Sequence, residues 1–151
     1  MTLKSVTRFK SQDNLKKFWA ISVSEQGMKL FGGFGMIPGI ANIHKNNDGT
    51  NKIENSDGTF HRERIIEQTN TKFIIEMDQF QGPSAKLFNL FQEHWTLSES
   101  KLSITRIFVI EPKNYFASII INTIFRPQLK IAMKRNLIAI GKADGITSFE
   151  I

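Results

Sequence analysis

The last part of the chain contains the stretch LFNLFQEHWTLSESKLSITRIFVIEPKNYFASIIINTIFRPQLKIAMKRNLIAIG (residues 87–141), whose hydrophobic period changes after Pro112. Before Pro112, apolar and polar residues alternate with the period of two that is typical of β-strands. After it, Asn114 can cap a helix, and apolar residues recur at helical spacing. These residues are Ile120, Ile124, Leu129, Met133, Leu137 and Ile140. The stretch therefore predicts a β-hairpin followed by one helix of about 40 Å, which ends near Gly141 and is kinked at Pro127.

The beginning of the chain predicts one strand and two short helices. Leu3–Phe9 alternates as a strand does. A helix is expected next, because Ser11, Asp13 and Asn14 can each cap its beginning. Leu15, Phe18 and Trp19 then share one helical face. A second short helix is expected from Ser24 to Leu30.

The middle of the chain, from Ile40 to Pro112, is rich in strand-forming segments. The turn signals Asp48-Gly49 and Asp57-Gly58 separate these segments at the spacing of an antiparallel meander. The resulting order is one strand, two short helices, about six strands and one long helix. Because the helices are segregated from the strands, the fold class is predicted to be α+β, with a seven-stranded antiparallel sheet that buries one face against the long helix. At 151 residues, the chain is expected to form one domain, residues 1–151.

The composition favours an apolar interior. Apolar residues make up 40% of the chain, and thirteen Phe accompany only one Tyr and two Trp. Such aromatic area suits a core or an apolar pocket. The chain has no cysteine, and its first residues contain no apolar run of the signal-peptide kind, so a cytoplasmic location is expected. The formal net charge of +6 is too small to predict a nucleic-acid partner, and no motif predicts a cofactor.

Several short motifs lie along this order of elements. They are Phe18-Trp19, Ile37-Pro38-Gly39-Ile40, Asp57-Gly58-Thr59 leading into Arg62-Glu63-Arg64-Ile65, and Glu93-His94-Trp95-Thr96-Leu97. Together with the element order, they make nearly the whole chain resemble the START-like (SRPBCC) superfamily. This superfamily includes the polyketide cyclase/dehydrase-like proteins, the birch-pollen-allergen family and lipid-transfer START domains. The resemblance implies a helix-grip fold, in which a curved antiparallel sheet wraps around the C-terminal helix and an apolar cavity lies between them. It implies a function only loosely, because the superfamily is diverse.

The last hairpin can be given a register from its sequence. A two-residue turn at Glu99-Ser100 pairs Leu97 with Leu102, Trp95 with Ile104, Glu93 with Arg106, Phe91 with Phe108 and Asn89 with Ile110. Alternation directs this set toward the core, whereas Gln92, His94 and Thr96 face outward.

Glu93 and Arg106 are thus expected to lie opposite one another within an apolar face. A charged pair in such a place is costly unless its members satisfy each other. One hypothesis is that the pair anchors a ligand: Arg106 offers its guanidinium to a carboxylate or carbonyl, and Glu93 orients it. The alternative is a self-satisfied ion pair at the rim of the sheet, open to water.

The preceding hairpin runs from Thr59 to about Gln79 and turns at residues 69–71. Its outward pairs are Arg62 with Asp78 and Arg64 with Glu76. Its inward residues are then His61, Glu63, Ile65, Phe73, Ile75 and Met77. An imidazole and a carboxylate on a cavity wall are candidates for general acid–base catalysis, because burial can move the pKa of each toward neutrality. The alternative is that both are solvated at a frayed strand end.

The two inward faces and the long helix define the predicted site. Its ligand-binding residues are Phe73, Ile75, Met77, Phe91, Glu93, Trp95, Ile104, Arg106, Phe108 and Ile120, and its candidate catalytic residues are His61, Glu63, Glu93 and Arg106. The glycine-rich segment Phe31–Ile37 is predicted to form a mobile apolar rim, because its glycines can act as hinges. No metal site is predicted, because the three His residues are too far apart in sequence.

A basic stripe is the last feature of the predicted helix. Arg126, Lys130 and Lys134 recur every four residues. Beside an apolar face, such a stripe can associate weakly with an anionic membrane, although a solvated helix face is the more usual explanation.

Three classes of function are compatible with these features. The first is binding of a small hydrophobic or amphipathic ligand, such as a lipid, quinone or polyketide. The second is a cyclase/dehydratase-type enzyme that acts on a carbonyl compound in the same cavity. The third is a protein-interaction domain whose cavity has collapsed. The volume of the cavity separates the third from the other two, and turnover separates an enzyme from a binding protein.

Overall fold

The computed structural model describes residues 1–146 and 149–151. Its strands and helices, in chain order, are β1 (Thr2–Phe9), α1 (Gln12–Ser22), α2 (Glu25–Lys29), β2 (Gly33–Phe34), β3 (Ile37–Pro38), β4 (Ile40–Lys45), β5 (Asn51–Asn55), β6 (Phe60–Gln68), β7 (Lys72–Asp78), a 3₁₀ turn (Gly82–Lys86), β8 (Phe88–Ser98), β9 (Ser103–Pro112), α3 (Tyr115–Ile120), a π-helical turn (Ile121–Phe125), α4 (Arg126–Ala143) and β10 (Phe149–Glu150). The predicted order of elements is confirmed.

Eight strands form one antiparallel sheet in the order β10-β1-β9-β8-β7-β6-β5-β4. Seven of them are the expected strands. The eighth, β10, was not predicted, and it pairs with Arg8 and Phe9 at the end of β1. Strands β2 and β3 lie outside this sheet and form a two-stranded hairpin of their own, where only a loop was expected. We refer to residues 31–38, which contain this hairpin, as the rim segment.

The hairpin of β6 and β7 has the predicted register. Arg62 lies opposite Asp78 and Arg64 lies opposite Glu76, and both pairs form salt bridges. The inward direction predicted for Ile65 is wrong, because its side chain is 49% exposed. The register shifts between Ile65 and Glu67, so this end of β6 no longer follows the alternation of the rest of the strand.

The hairpin of β8 and β9 has a register that differs from the prediction by two residues. Ser98 pairs with Ser103, so the turn contains four residues rather than two. Within the turn, Leu102 has a φ of 46°, and its N–H donates to the carbonyl of Glu99. Because a shift of two residues preserves which side chains face the core, the predicted inward face is correct from Phe91 to Trp95. The inward direction predicted for Asn89 is wrong: the register is irregular between Phe88 and Leu90, and Asn89 is exposed.

The long C-terminal helix consists of α3, the π-helical turn and α4. Asn114 caps α3 as predicted, since its side chain accepts a hydrogen bond of 2.8 Å from the N–H of Ala117. Pro127 lies in the first turn of α4, directly after the π-helical turn. The interruption of the helix that was expected at Pro127 therefore lies just before α4, at Ile121–Phe125. A proline in the first turn of α4 removes little hydrogen bonding.

One continuous cluster of buried residues lies between the sheet and the helices. Leu129, Leu137 and Ile140 of α4 are almost fully buried, as are Ile104 and Ile110 of β9. Each such side chain contributes about 1.5–3 kcal/mol to folding. This packing fixes α4 against the inner face of the sheet. In the described part of the chain, no helix is both long and apolar enough to span a membrane.

Candidate functional site

A cavity of about 100 Å³ lies between the inner face of the sheet and α4. Ile75 of β7, Phe91 of β8 and Phe108 of β9 form its floor, and Leu129 lies on the helix side. The rim segment contributes Phe31, Ile37 and Pro38. These walls are mainly apolar, but two groups of polar side chains also reach the cavity.

The first polar group is the Arg106 network, which we define as Glu93, Trp95, Arg106 and Asn136. Glu93 Oε1 accepts hydrogen bonds from Arg106 Nε at 2.7 Å and from Trp95 Nε1 at 2.5 Å. Arg106 Nη1 donates to Asn136 Oδ1 at 2.8 Å, which ties β9 to α4. Arg106 lies opposite Trp95, not Glu93, in the ladder, so the predicted ion pair forms on the diagonal between neighbouring strands.

Aromatic rings enclose the Arg106 guanidinium. Its central carbon lies 4.5 Å from the ring centroid of Trp95, 4.8 Å from that of Phe108 and 5.7 Å from that of Phe31. Burial lowers the pKa of Arg106 from its ordinary value, and the charge and hydrogen bond of Glu93 oppose this shift. Since arginine still keeps its proton, the network is a buried, hydrogen-bonded ion pair and is not open to water at the rim as the alternative expectation held.

The second polar group is the Glu63 pair, which consists of His61 and Glu63 on β6. His61 Nε2 lies 3.3 Å from Glu63 Oε1, and its ring stacks on Phe80 at 5.4 Å between centroids. Glu63 is only 3% exposed, and its second oxygen, Oε2, is buried without a hydrogen-bond partner among the described residues. Burial raises the pKa of the Glu63 carboxyl, with the charge of Glu93 adding to this effect and His61 opposing it. Glu63 is therefore a buried acid on the cavity wall, and one of its oxygens has no hydrogen-bond partner among the described residues.

Comparison with known proteins identifies the fold of this chain. No family model and no curated protein matches the chain. Norcoclaurine synthase of Thalictrum flavum, whose structure holds dopamine and hydroxybenzaldehyde, is 14% identical and aligns over 98% of this chain and 88% of its own, with a TM-score of 0.62. Major latex-like protein 151 of Panax ginseng is 11% identical over 95% of this chain and 93% of its own, with a TM-score of 0.57. This chain has the START-like helix-grip fold.

A third solved structure has the same fold in a longer protein. The di-domain ARO/CYC BexL is 9% identical and aligns over 94% of this chain, with a TM-score of 0.59. The alignment covers 49% of BexL, so the helix-grip chain described here spans about half of that protein.

Within the helix-grip cavity, seven of the ten predicted ligand-binding residues lie on the wall. They are Ile75, Met77, Phe91, Glu93, Trp95, Arg106 and Phe108. The other three, Phe73, Ile104 and Ile120, were wrongly expected to line it. Phe73 and Ile104 are buried in the core, and Ile120 lies in the last turn of α3, away from the lining residues. The candidate catalytic residues His61 and Glu63 also lie on the wall, whereas His94 faces away from it and pairs with Gln92.

The prediction missed an aromatic group at one end of the helix-grip cavity. Phe88 lies 5.2 Å from Phe80, 5.1 Å from Phe91 and 5.1 Å from Phe125, measured between ring centroids. Asn136, which completes the Arg106 network, was missed as well. Its signal in the sequence is that Asn136 lies three residues after Met133 and four before Ile140, which places an uncharged polar residue on the apolar face of the predicted helix.

The rim segment is fastened to α4 at two points. The backbone N–H of Met36 donates to Gln128 Oε1 at 2.7 Å, and the Arg135 guanidinium lies 4.6 Å from the ring centroid of Phe34. Gly35 has a φ of +62°, and a side chain there would collide with Gln128. These contacts set how far the rim segment stands from the helix. Its predicted mobility stays a prediction.

Proposed function

We propose that this protein binds one small hydrophobic or amphipathic molecule in the cavity, with its apolar part against the phenylalanine rings and a polar group at Glu63. The observation that carries the proposal is the Glu63 pair: a buried carboxyl on an apolar wall has an oxygen without a partner. An unpaired buried polar atom costs about 1–3 kcal/mol, so a ligand that donates a hydrogen bond to Glu63 Oε2 relieves that cost.

The size of the cavity limits the ligand. An apolar protein cavity of about 150 Å³ binds benzene. With about 100 Å³, the present cavity accommodates a small ring or a short chain. A polycyclic compound or a long lipid requires the rim segment to move away from α4. Binding of such a molecule would thus be coupled to loss of the contacts from Gln128 and Arg135.

A one-ring amphipathic probe tests the proposal. Phenol, followed by isothermal titration calorimetry, should bind saturably to the wild type, and Ile75→Phe should abolish this binding because the new ring occupies the cavity. The matched control is Ile74→Phe, which adds the same ring to the other face of β7. Equal probe binding by both variants would contradict the proposal.

The second candidate function, a cyclase/dehydratase-type enzyme, is favoured by the state of Glu63. A carboxyl whose pKa burial has raised keeps its proton to a higher pH and can donate it to a bound carbonyl group, and His61 Nε2 lies 3.3 Å from the same carboxyl. The likeness to norcoclaurine synthase supports this candidate only through the fold. Its test is turnover of aromatic aldehydes. Glu63→Gln should abolish turnover but preserve binding, whereas a pure binding protein turns over none of them.

A protein-interaction domain with a collapsed cavity is the third candidate. The cavity of about 100 Å³ argues against it, because a collapsed interior would leave no such volume.

A further inference from the structure

The positive charge of this protein is concentrated in one segment. Residues 113–143 contain six Lys and Arg and no Asp or Glu, while the rest of the chain carries fourteen of each sign. The whole formal net charge of +6 therefore resides in the long helix and the residue before its cap.

Two of the three basic residues of α1 and α2 have an acidic partner, whereas the basic stripe of α4 has none among the described residues. Lys17 and Lys29 each pair with an acid one turn earlier, Asp13 and Glu25. Arg126, Lys130 and Lys134 are exposed and form no ion pair with any acidic residue in the described part of the chain. Their charges repel one another and are available to an anionic partner.

The long helix also carries large apolar side chains that are exposed. Tyr115 is 83% exposed and Phe116 is 71% exposed in the first turn of α3, and Ile119 lies one turn further along. In α4, the exposed Ile131 follows Lys130. We call this surface the outer helix face; it consists of Tyr115, Phe116, Ile119, Arg126, Lys130, Ile131 and Lys134.

We infer that the outer helix face docks on the surface of an anionic phospholipid membrane. Basic residues beside exposed aromatic and aliphatic side chains suit the membrane interface, where the rings lie at the level of the headgroups and the cations meet lipid phosphates. A nucleic acid would use the cations but leave the apolar side chains unburied. A second copy of the chain would bring like charges together. The inference is independent of the cavity and its ligand.

Vesicle binding tests the inference. The protein should sediment with vesicles of phosphatidylserine mixed equally with phosphatidylcholine, should not sediment with phosphatidylcholine alone, and should be released by high salt because the attraction is screened. Failure of the folded wild type to bind the anionic vesicles would overturn the inference.

Two variants locate the surface. Lys130→Gln with Lys134→Gln should weaken vesicle binding about thirty-fold, the factor that corresponds to two basic residues at an anionic surface. Lys16→Gln with Lys101→Gln removes the same charge from exposed positions elsewhere and should weaken binding far less.

The apolar contribution has its own control. Tyr115→Ser with Phe116→Ser should weaken vesicle binding about tenfold or more, since interfacial binding scales with buried apolar area. Ile65→Ser with Ile66→Ser changes another exposed apolar pair, 49% and 52% exposed, and should leave binding unchanged. Equal effects of the two pairs of substitutions on vesicle binding would overturn the inference. It would also be overturned if Tyr115→Ser with Phe116→Ser bound vesicles as tightly as the wild type, and the wild type bound duplex DNA as tightly as the anionic vesicles.

Discussion

The two polar groups on the cavity wall differ in how completely they are satisfied. In the Arg106 network, Glu93 Oε1, Arg106 Nε and Arg106 Nη1 all have hydrogen-bond partners, and the carboxylate faces a cation. In the Glu63 pair, one carboxyl oxygen has no partner and the carboxyl has only an imidazole beside it. A satisfied network stabilises the structure that contains it, whereas an unsatisfied one lowers stability unless a ligand completes it. We therefore assign the Arg106 network mainly to structure and the Glu63 pair mainly to function.

The largest expected effect on stability comes from a substitution in the Arg106 network. Arg106→Met should lower the free energy of unfolding by about 3 kcal/mol or more, because Glu93 then stays buried without its cation. Denaturant titration measures this. Adding Glu93→Gln should recover part of the loss, since the unpaired charge is then absent. An unchanged midpoint would show that the network is not structural and would remove the contrast between the two groups.

Replacement by Met in the Glu63 pair should change the free energy of unfolding much less than replacement by Met in the Arg106 network. Glu63→Met removes a buried carboxyl that is only half satisfied, so the free energy of unfolding at neutral pH should stay within about 1 kcal/mol of the wild type. His61 keeps its stacking on Phe80 in this variant. A loss as large as that of Arg106→Met would mean that both groups are structural.

The pH dependence sharpens the contrast further. Because the pKa of Glu63 is raised in the folded protein, its protonated form favours folding. This contribution is fully present below the ordinary value of 4.5 and is lost as the pH rises through the folded pKa. Denaturant titrations between acidic and neutral pH should thus show the wild type losing stability relative to Glu63→Met as the pH rises. Parallel curves would contradict a raised pKa.

The sequence predicted the site best where charges or periodicity fixed the geometry. The register of β6 and β7 was correct because crossed pairs such as Arg62 with Asp78 leave only one favourable alignment. The register of β8 and β9 was wrong because it depended on turn length, and Leu102 adopts a positive φ that its residue type does not indicate. The ion pair of Glu93 with Arg106 was still predicted, because an even shift keeps both charges on one face.

Other parts of the site have no local signal in the sequence. Phe80 follows Gln79, whose φ of 53° ends the strand and redirects the chain, so alternation could not place the ring. Phe125 lies at the end of the π-helical turn, which changes the phase of the helix before α4. Asn136 is recognisable as a partner of Arg106 only when α4 has been placed against β9. These positions depend on packing between distant segments.

Native mass spectrometry of the protein incubated with phenol as the probe shows whether the cavity binds one amphipathic molecule. The wild type and Ile74→Phe should each form a complex with one molecule of the probe, and Ile75→Phe should form none. Any small molecule retained from purification should follow the same pattern. A wild-type protein that binds no probe, or an Ile75→Phe variant that binds it as the wild type does, would contradict the claim.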